Sequence, residues 1–141
     1  MDKYETYPLQ IPQSYPFVLV DRILELSEDH IRTERSVSEG DLLAVSGSYL
    51  IENMAQSSSA LLGFRYRDDP PDRLYLADIK SAQIRFCPSP GDYIRTDVSI
   101  QLAVGGFAKV SCQSLIRRNP YGNWSPIGDA DLTLAFRHSR K

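Results

Sequence analysis

The twelve residues "YIRTDVSIQLAV" at 93–104 constrain the fold more than any other stretch of the chain. Ile94, Thr96, Val98, Ile100, Leu102 and Val104 fall on one side of an extended backbone, and Arg95, Asp97, Ser99 and Gln101 fall on the other. That period of two marks a strand with one buried face. Such a strand needs neighbours for its backbone groups and a cover for its apolar side. The neighbours are legible downstream. Gly105-Gly106 reads as a two-residue hairpin turn, "FAKVSCQSLI" returns, and "RRNPYGNWSP" is a longer connection. "GDADLTLAF" then closes the chain's meander with Ala130, Leu132, Leu134 and Phe136 on one face. Upstream, "LYLADIKSAQIRF" leads through the turn signal "CPSPGD" into the same meander.

The cover comes from "GSYLIENMAQSSSALLGF" at 47–64, whose length predicts a helix, with Ser46 or Ser48 as candidate N-caps and Gly63 as a candidate C-cap. At ~100° per residue, Leu50, Ile51, Met54, Ala55, Leu61 and Leu62 share one arc, while Glu52, Gln56, Ser59 and Gly63 share the other. The helix is therefore expected to be amphipathic, and taken alone it makes Glu52 a charge facing water. Before it, residues 17–26 form a strand, "SEDH" turns, and "IRTERSV" pairs back as a hairpin. After it, "RYRDDPPDR" is a charged, proline-containing loop. The order is hairpin, one helix, then at least four antiparallel strands. This is a single α+β domain over 1–141, with a leader over 1–12 and a basic tail over 138–141. The one helix must lie across the concave side of the sheet.

Composition excludes several classes. At 141 residues, 42% hydrophobic and 24% charged, the chain has the makeup of a soluble globular domain, and no run approaches the ~20 apolar residues of a membrane span. The start, "MDKYETYPLQIPQSYPF", lacks the basic and apolar regions of a secretory signal, so a cytoplasmic location is expected. A net charge of -2 argues against nucleic acid as the main partner. Cys87 and Cys112, each read inside a strand, are expected to be buried free thiols. The two histidines are far apart in sequence and no Cys/His cluster exists, so no metal is expected.

Three blocks, "IPQSYPFVLVDRILEL", "GSYLIENMAQSSSALLGF" and "SAQIRFCPSPGDYIRTDVSI", resemble in order and spacing the signature blocks of the 3-hydroxyacyl-(acyl carrier protein) dehydratases of the hotdog fold. The likeness runs from about Ile11 to Phe136; "LIENMAQ" at 50–56 followed by "IRFCPSPGD" at 84–92 is its specific part. The resemblance implies a sheet wrapped round one central helix and a dimer made by joining two sheets edge to edge. The helix's polar arc would then face an interface and a ligand tunnel. It also implies that Glu52 matches the family's catalytic acid, in working or vestigial form, which stands opposite a histidine from the other subunit. That histidine takes the proton next to the thioester carbonyl while the acid assists departure of the hydroxyl. Gly47 matches the glycine opening the helix, where free N–H groups polarise the thioester carbonyl, with Ser48 beside it in the substrate-binding turn. Gln56 matches the helix glutamine that bonds the acid or the substrate. No cofactor is implied beyond the phosphopantetheine thioester carrying the substrate.

The departures from the family pattern bear on activity. The family's histidine lies in a "GHFP" type of loop ahead of the helix; here the stretch is "SEGDLLAVSGS", shorter and without histidine. The family's "PHRYPF" is "PQSYPF", with Gln13 and Ser14. His30, in the first hairpin turn, and His138, at the start of the tail, are expected to have no catalytic role. Asp41 is poorly matched to removing a carbon-bound proton, and turn formation accounts for it better. Two readings follow. One is an acyl-thioester-binding relative, of fatty-acid or polyketide and polyene-type synthesis, that is impaired alone or depends on a partner subunit for dehydration. The other is an acyl-ACP or acyl-CoA thioesterase in which Glu52 orients water. The implied partners are acyl carrier protein or an acyl-CoA thioester, and either a second copy or an active hotdog subunit. Arg65, Arg67, Lys80, Arg85 and Arg95 are candidates for a basic landing area for an acidic carrier, against a scattered solvated face.

Overall fold

A computed structural model describes residues 19–38, 47–85 and 87–138. Among the described residues six strands and one helix follow in the order β1 (Arg22–Leu26), β2 (His30–Ser36), α1 (Gly47–Arg65), β3 (Arg73–Ile84), β4 (Tyr93–Val104), β5 (Phe107–Arg117) and β6 (Ser125–Arg137). All pairings are antiparallel, and the sheet order is β1-β2-β4-β5-β6-β3. The helix packs against β2 through β6. Leu50, Met54, Leu61 and Leu62 of the helix share one core with Ile31, Ile94, Val98, Val110, Leu132 and Leu134 of the sheet. A sheet wrapped over this helix is the arrangement the strand alternation leads us to expect, and it is the hotdog fold the resemblance implies.

Three glycines are dictated by the turn geometry and the packing. Gly105 and Gly106 both have positive φ, +60° and +87°, as the tight β4–β5 turn demands. Gly128 sits where β6 passes under the helix: a methyl group there would lie 2.8 Å from Leu50 Cδ2 and 3.1 Å from Ile84 Cδ1.

Several local expectations are corrected. The alternation of 93–104 does slip. The β4–β5 register shifts between Ile100 and Leu102, and that bulge turns Leu102 (51% exposed) and Val104 (62%) away from the helix. Val104 then lies beside Phe107 on the outer face, with Ala135 and Tyr75 continuing the row on β6 and β3. The first strand starts at Arg22: of the residues expected in it, 17 and 18 lie outside the described residues, and the backbone of Leu19 bonds helix side chains instead of a neighbouring strand. Cys87 lies outside any strand and is only partly buried, since Pro88 and Pro90 cannot continue a ladder. Cys112, on β5, is buried and free as expected. Gly63 is not the C-cap: the helix runs on to Arg65, and Arg67 donates to the Phe64 carbonyl at 2.9 Å while stacking 4.3 Å from the Phe64 ring. Ser48 is the helix's exposed second residue, and Ser46, Gln13, Ser14, Asp41, the leader and most of the tail lie outside the described residues.

The helix is also not amphipathic toward water. Gln56, Ser57 and Ser58 are fully buried and Ser59 nearly so. The serines satisfy themselves within the helix: Ser57, Ser58 and Ser59 donate to the carbonyls of Asn53, Met54 and Ala55 at 2.8, 2.7 and 3.0 Å. Such back-bonding lets a polar arc enter a core without leaving a donor unmet.

Candidate functional site

Glu52 is half-buried on α1, one turn beyond Gly47 and Ser48, which form the start of the helix. No acidic side chain occupies that first turn, so the N-terminal end of the helix dipole keeps its positive character there. Tyr49, fully buried in the same turn, accepts a bond from Arg35 Nε at 3.2 Å. Arg35 also reaches Asp21 Oδ1 at 2.6 Å, and Asp21 Oδ2 accepts the Ser36 N–H at 2.7 Å. Burial pulls the Arg35 guanidinium down, but Tyr49 and Asp21 more than offset it, and the group is held above its ordinary value. This ties the first helical turn to β2.

The side chain that fixes Glu52 is Gln56, four residues on. Gln56 Nε2 donates to Glu52 Oε1 at 3.2 Å, and Gln56 Oε1 accepts the Leu19 N–H at 2.6 Å. Because an N–H must find an acceptor, the Leu19 bond fixes which end of the amide faces the carboxylate. Beside it Asn53 Nδ2 donates to the Leu19 carbonyl at 2.6 Å, and Asn53 Oδ1 accepts from Thr96 Oγ1 at 2.6 Å. Thr96 and Ser114 hydroxyls are 2.7 Å apart, and Thr33 and Ser57 hydroxyls 2.8 Å. Sequence reasoning brought Glu52 and Gln56 together correctly by helical spacing and missed Asn53, Thr96 and Leu19. The available signal was a hydroxyl, Thr96, on an otherwise apolar strand face, which needs a polar partner on whatever covers it.

Both histidines are engaged away from Glu52. His30 opens β2, with Nε2 3.0 Å from Asp97 Oδ1, where Arg32 Nε also donates at 2.8 Å. His138 Nε2 is 2.6 Å from the Asp69 carbonyl, packed edge-on against Tyr66 and Phe136. Cys112 is no nucleophile either: burial pushes its thiol up to about 12, against a partial opposing effect of the Ser58 hydroxyl. No group of three or more metal-ligating side chains occurs among the described residues. No helix there is long and apolar enough to cross a membrane.

The five basic residues do not form one landing area. Arg65 and Arg67 bind Asp29 and Glu28 at the β1–β2 turn, at 2.8 and 2.7 Å. Arg95 lies over Trp124 on the outer face and bonds Glu34 at 3.3 Å. Lys80 and Arg85 belong to the β3 side, at the opposite edge of the sheet from β1, with Arg85 3.7 Å from Asp129.

A family profile described as ApeP-like, ApeP dehydratase, matches residues 8–73. The 3-hydroxyacyl-(acyl carrier protein) dehydratase FabZ of Solibacter usitatus is 30% identical over 110 residues, covering 72% of this chain and 68% of that protein. The chain belongs to this dehydratase family. FabZ of Albidiferax ferrireducens is 28% identical to this family member, across 97% of the chain and 95% of the relative. Among solved structures, the dehydratase heterocomplex ApeI:P from Xenorhabdus doucetiae superposes with a TM-score of 0.73 at 16% identity, covering 93% of this chain and 89% of that one. A hypothetical thioesterase with coenzyme A from Streptococcus pneumoniae superposes at 0.64, with 11% identity and 84% and 87% coverage. Both share the hotdog fold with this dehydratase-family chain.

Proposed function

We propose that this chain is one half of a two-subunit dehydratase: it holds a 3-hydroxyacyl thioester with the start of α1 and acts through Glu52, while a hotdog partner supplies the histidine base. The observation that carries this reading is the isolation of the carboxylate. Glu52 is half-buried on the central helix and held by Gln56, and both histidines of the chain are bonded elsewhere. Water elimination needs two groups, one to take the carbon-bound proton and one to protonate the departing hydroxyl. Glu52 suits the second. With one oxygen accepting from Gln56, the other is left to carry a proton toward the leaving oxygen. Nothing described in the chain suits the first.

The exposed edge of the sheet supports such an assembly. β3 is a twelve-residue edge strand, exposed along most of its length, and such an edge is a template for another strand. A hotdog subunit pairing there would extend the sheet and bring a second polypeptide toward the helix. A solved relative in the fold comparison is itself a dehydratase heterocomplex, which supports a partner of different sequence over a second copy. The acyl group would arrive on the phosphopantetheine of an acyl carrier protein, the carrier named for the curated relatives.

The test is dehydration of a 3-hydroxyacyl thioester by the pure chain and by the chain mixed with a histidine-bearing hotdog dehydratase subunit. The proposal expects no turnover from the pure chain and turnover from the mixture. Brisk elimination by the pure chain refutes it. Release of free thiol by the pure chain from a panel of acyl thioesters would instead establish the thioesterase reading.

A further inference from the structure

The polar contacts around Leu19 form a single directed run, and its direction is fixed at every step. Leu19's carbonyl can only accept, so Asn53 Nδ2 must face it at 2.6 Å, which turns Asn53 Oδ1 toward Thr96. An amide oxygen can only accept, so the Thr96 hydroxyl donates to it at 2.6 Å, and Ser114 then donates to Thr96 at 2.7 Å. On the other side, Leu19's N–H donates to Gln56 Oε1 at 2.6 Å, which leaves only N–H groups of Gln56 to meet Glu52 Oε1 at 3.2 Å. Donation therefore passes from β5 through β4 and the helix, across the backbone of Leu19, and ends on the carboxylate. Asn53, Gln56, Thr96 and Ser114 are all shut off from water, so no solvent competes for these bonds.

We infer that Asn53 and Thr96 are positioning residues for Glu52, acting through Leu19 and Gln56 to fix the orientation of the carboxylate. Were Asn53 free to turn, the Leu19 segment would lose one of its two anchors on the helix. Gln56 would then lose the contact that orients its amide, and the Glu52 side chain would lose its defined rotamer. The run also aims an N–H of Gln56 at Oε1 and leaves Oε2 as the oxygen for substrate. This deepens the function proposed above and rests on it for the identity of the acting group.

Two measurements test it. In the assembled dehydratase, Thr96→Val keeps the shape and removes the donor. The inference expects kcat to fall about ten- to hundredfold, the scale on which small misplacements of an acting group are felt, with KM little changed. Thr96→Ser, which keeps the hydroxyl, is expected to restore the rate. Unchanged kcat in Thr96→Val, or equal loss in Thr96→Ser, overturns the inference. The second measurement needs no substrate and no core substitution. In the 15N-labelled chain, Glu52→Gln is expected to move the resonances of the Gln56 side-chain amide, the Leu19 N–H and the Asn53 side-chain amide together. A response confined to Gln56 overturns the inference. An intact three-site response in a protein that no hotdog partner activates would count against the proposed function and leave the coupling standing.

Discussion

Gly128→Ala probes the contact between α1 and the sheet on which the site is built. Gly128 has an ordinary strand backbone, so alanine meets no conformational barrier and the outcome depends on space. The added methyl would lie 2.8 Å from Leu50 Cδ2, 3.1 Å from Ile84 Cδ1 and 3.2 Å from the Gln83 carbonyl. Comfortable carbon contacts are about 3.5–4.0 Å, so something must move by several tenths of an ångström or more. Leu50 is fully buried in the first turns of α1, and Gln83 O is backbone, so neither gives way freely. Overpacking of this kind costs about 1–3 kcal/mol, and the smaller entropy of the unfolded alanine chain returns about 0.4–1 kcal/mol. The net loss is about 1–2 kcal/mol, a fall in Tm of roughly 3–8 °C for a domain of this size. Thermal unfolding followed by circular dichroism measures it. Leu50→Val, which shortens the colliding side chain, should be less damaging in the alanine background than in wild type, by a coupling of about 0.5 kcal/mol or more. A Gly128→Ala protein that melts at or above the wild-type temperature, or strict additivity with Leu50→Val, would refute the close approach of helix and sheet.

The bulge in β4 predicts opposite outcomes for residues that the sequence pattern treats alike. Leu102→Ser should change stability by less than about 0.5 kcal/mol, while Ile94→Ala should cost about 2–5 kcal/mol; urea titration measures both. The thiols differ in the same way: in the native protein Cys87 should react with a thiol reagent quickly and Cys112 only on unfolding, as a two-phase absorbance trace would show. Cys112 also predicts alkaline instability. Its thiol is raised in the fold from 9.0 to about 12, so above pH 9 the unfolded chain loses a proton that the native chain keeps. Stability should then fall by about 1.4 kcal/mol per pH unit between roughly pH 9 and 12, and Cys112→Ala should flatten that slope.

Much of the fold was legible because its signals are local. Gly105-Gly106 favours its turn through its own backbone freedom, and the apolar side of β6 is fixed by a period of two. The bulge was not legible, since Leu102 and Val104 continue the apolar series in sequence and only the pairing with Lys109 and Phe107 reveals the change of face. The serines at 57–59 misled for a related reason. Their residue type suggests water, but bonds to carbonyls one turn back let them be buried. At the site, helical spacing placed Gln56 beside Glu52. The third participant, the backbone of Leu19, carries no signature in its side chain, so the anchors Asn53 and Gln56 could be recognised only once the chain was folded. The basic residues show the converse limit: composition supplies arginines, but Asp29, Glu28, Glu34 and Asp129 decide which remain available.

The central claim is that the carboxylate of this chain takes part in the elimination carried out by the pair. It is tested most directly by the dehydration rate of the mixed assembly with Glu52→Gln in this chain and an unaltered partner. The expected loss is about a hundredfold or more in kcat, the usual contribution of a positioned acid, with assembly and thioester binding retained. A mixed assembly that dehydrates at the wild-type rate with Gln at position 52 would contradict it.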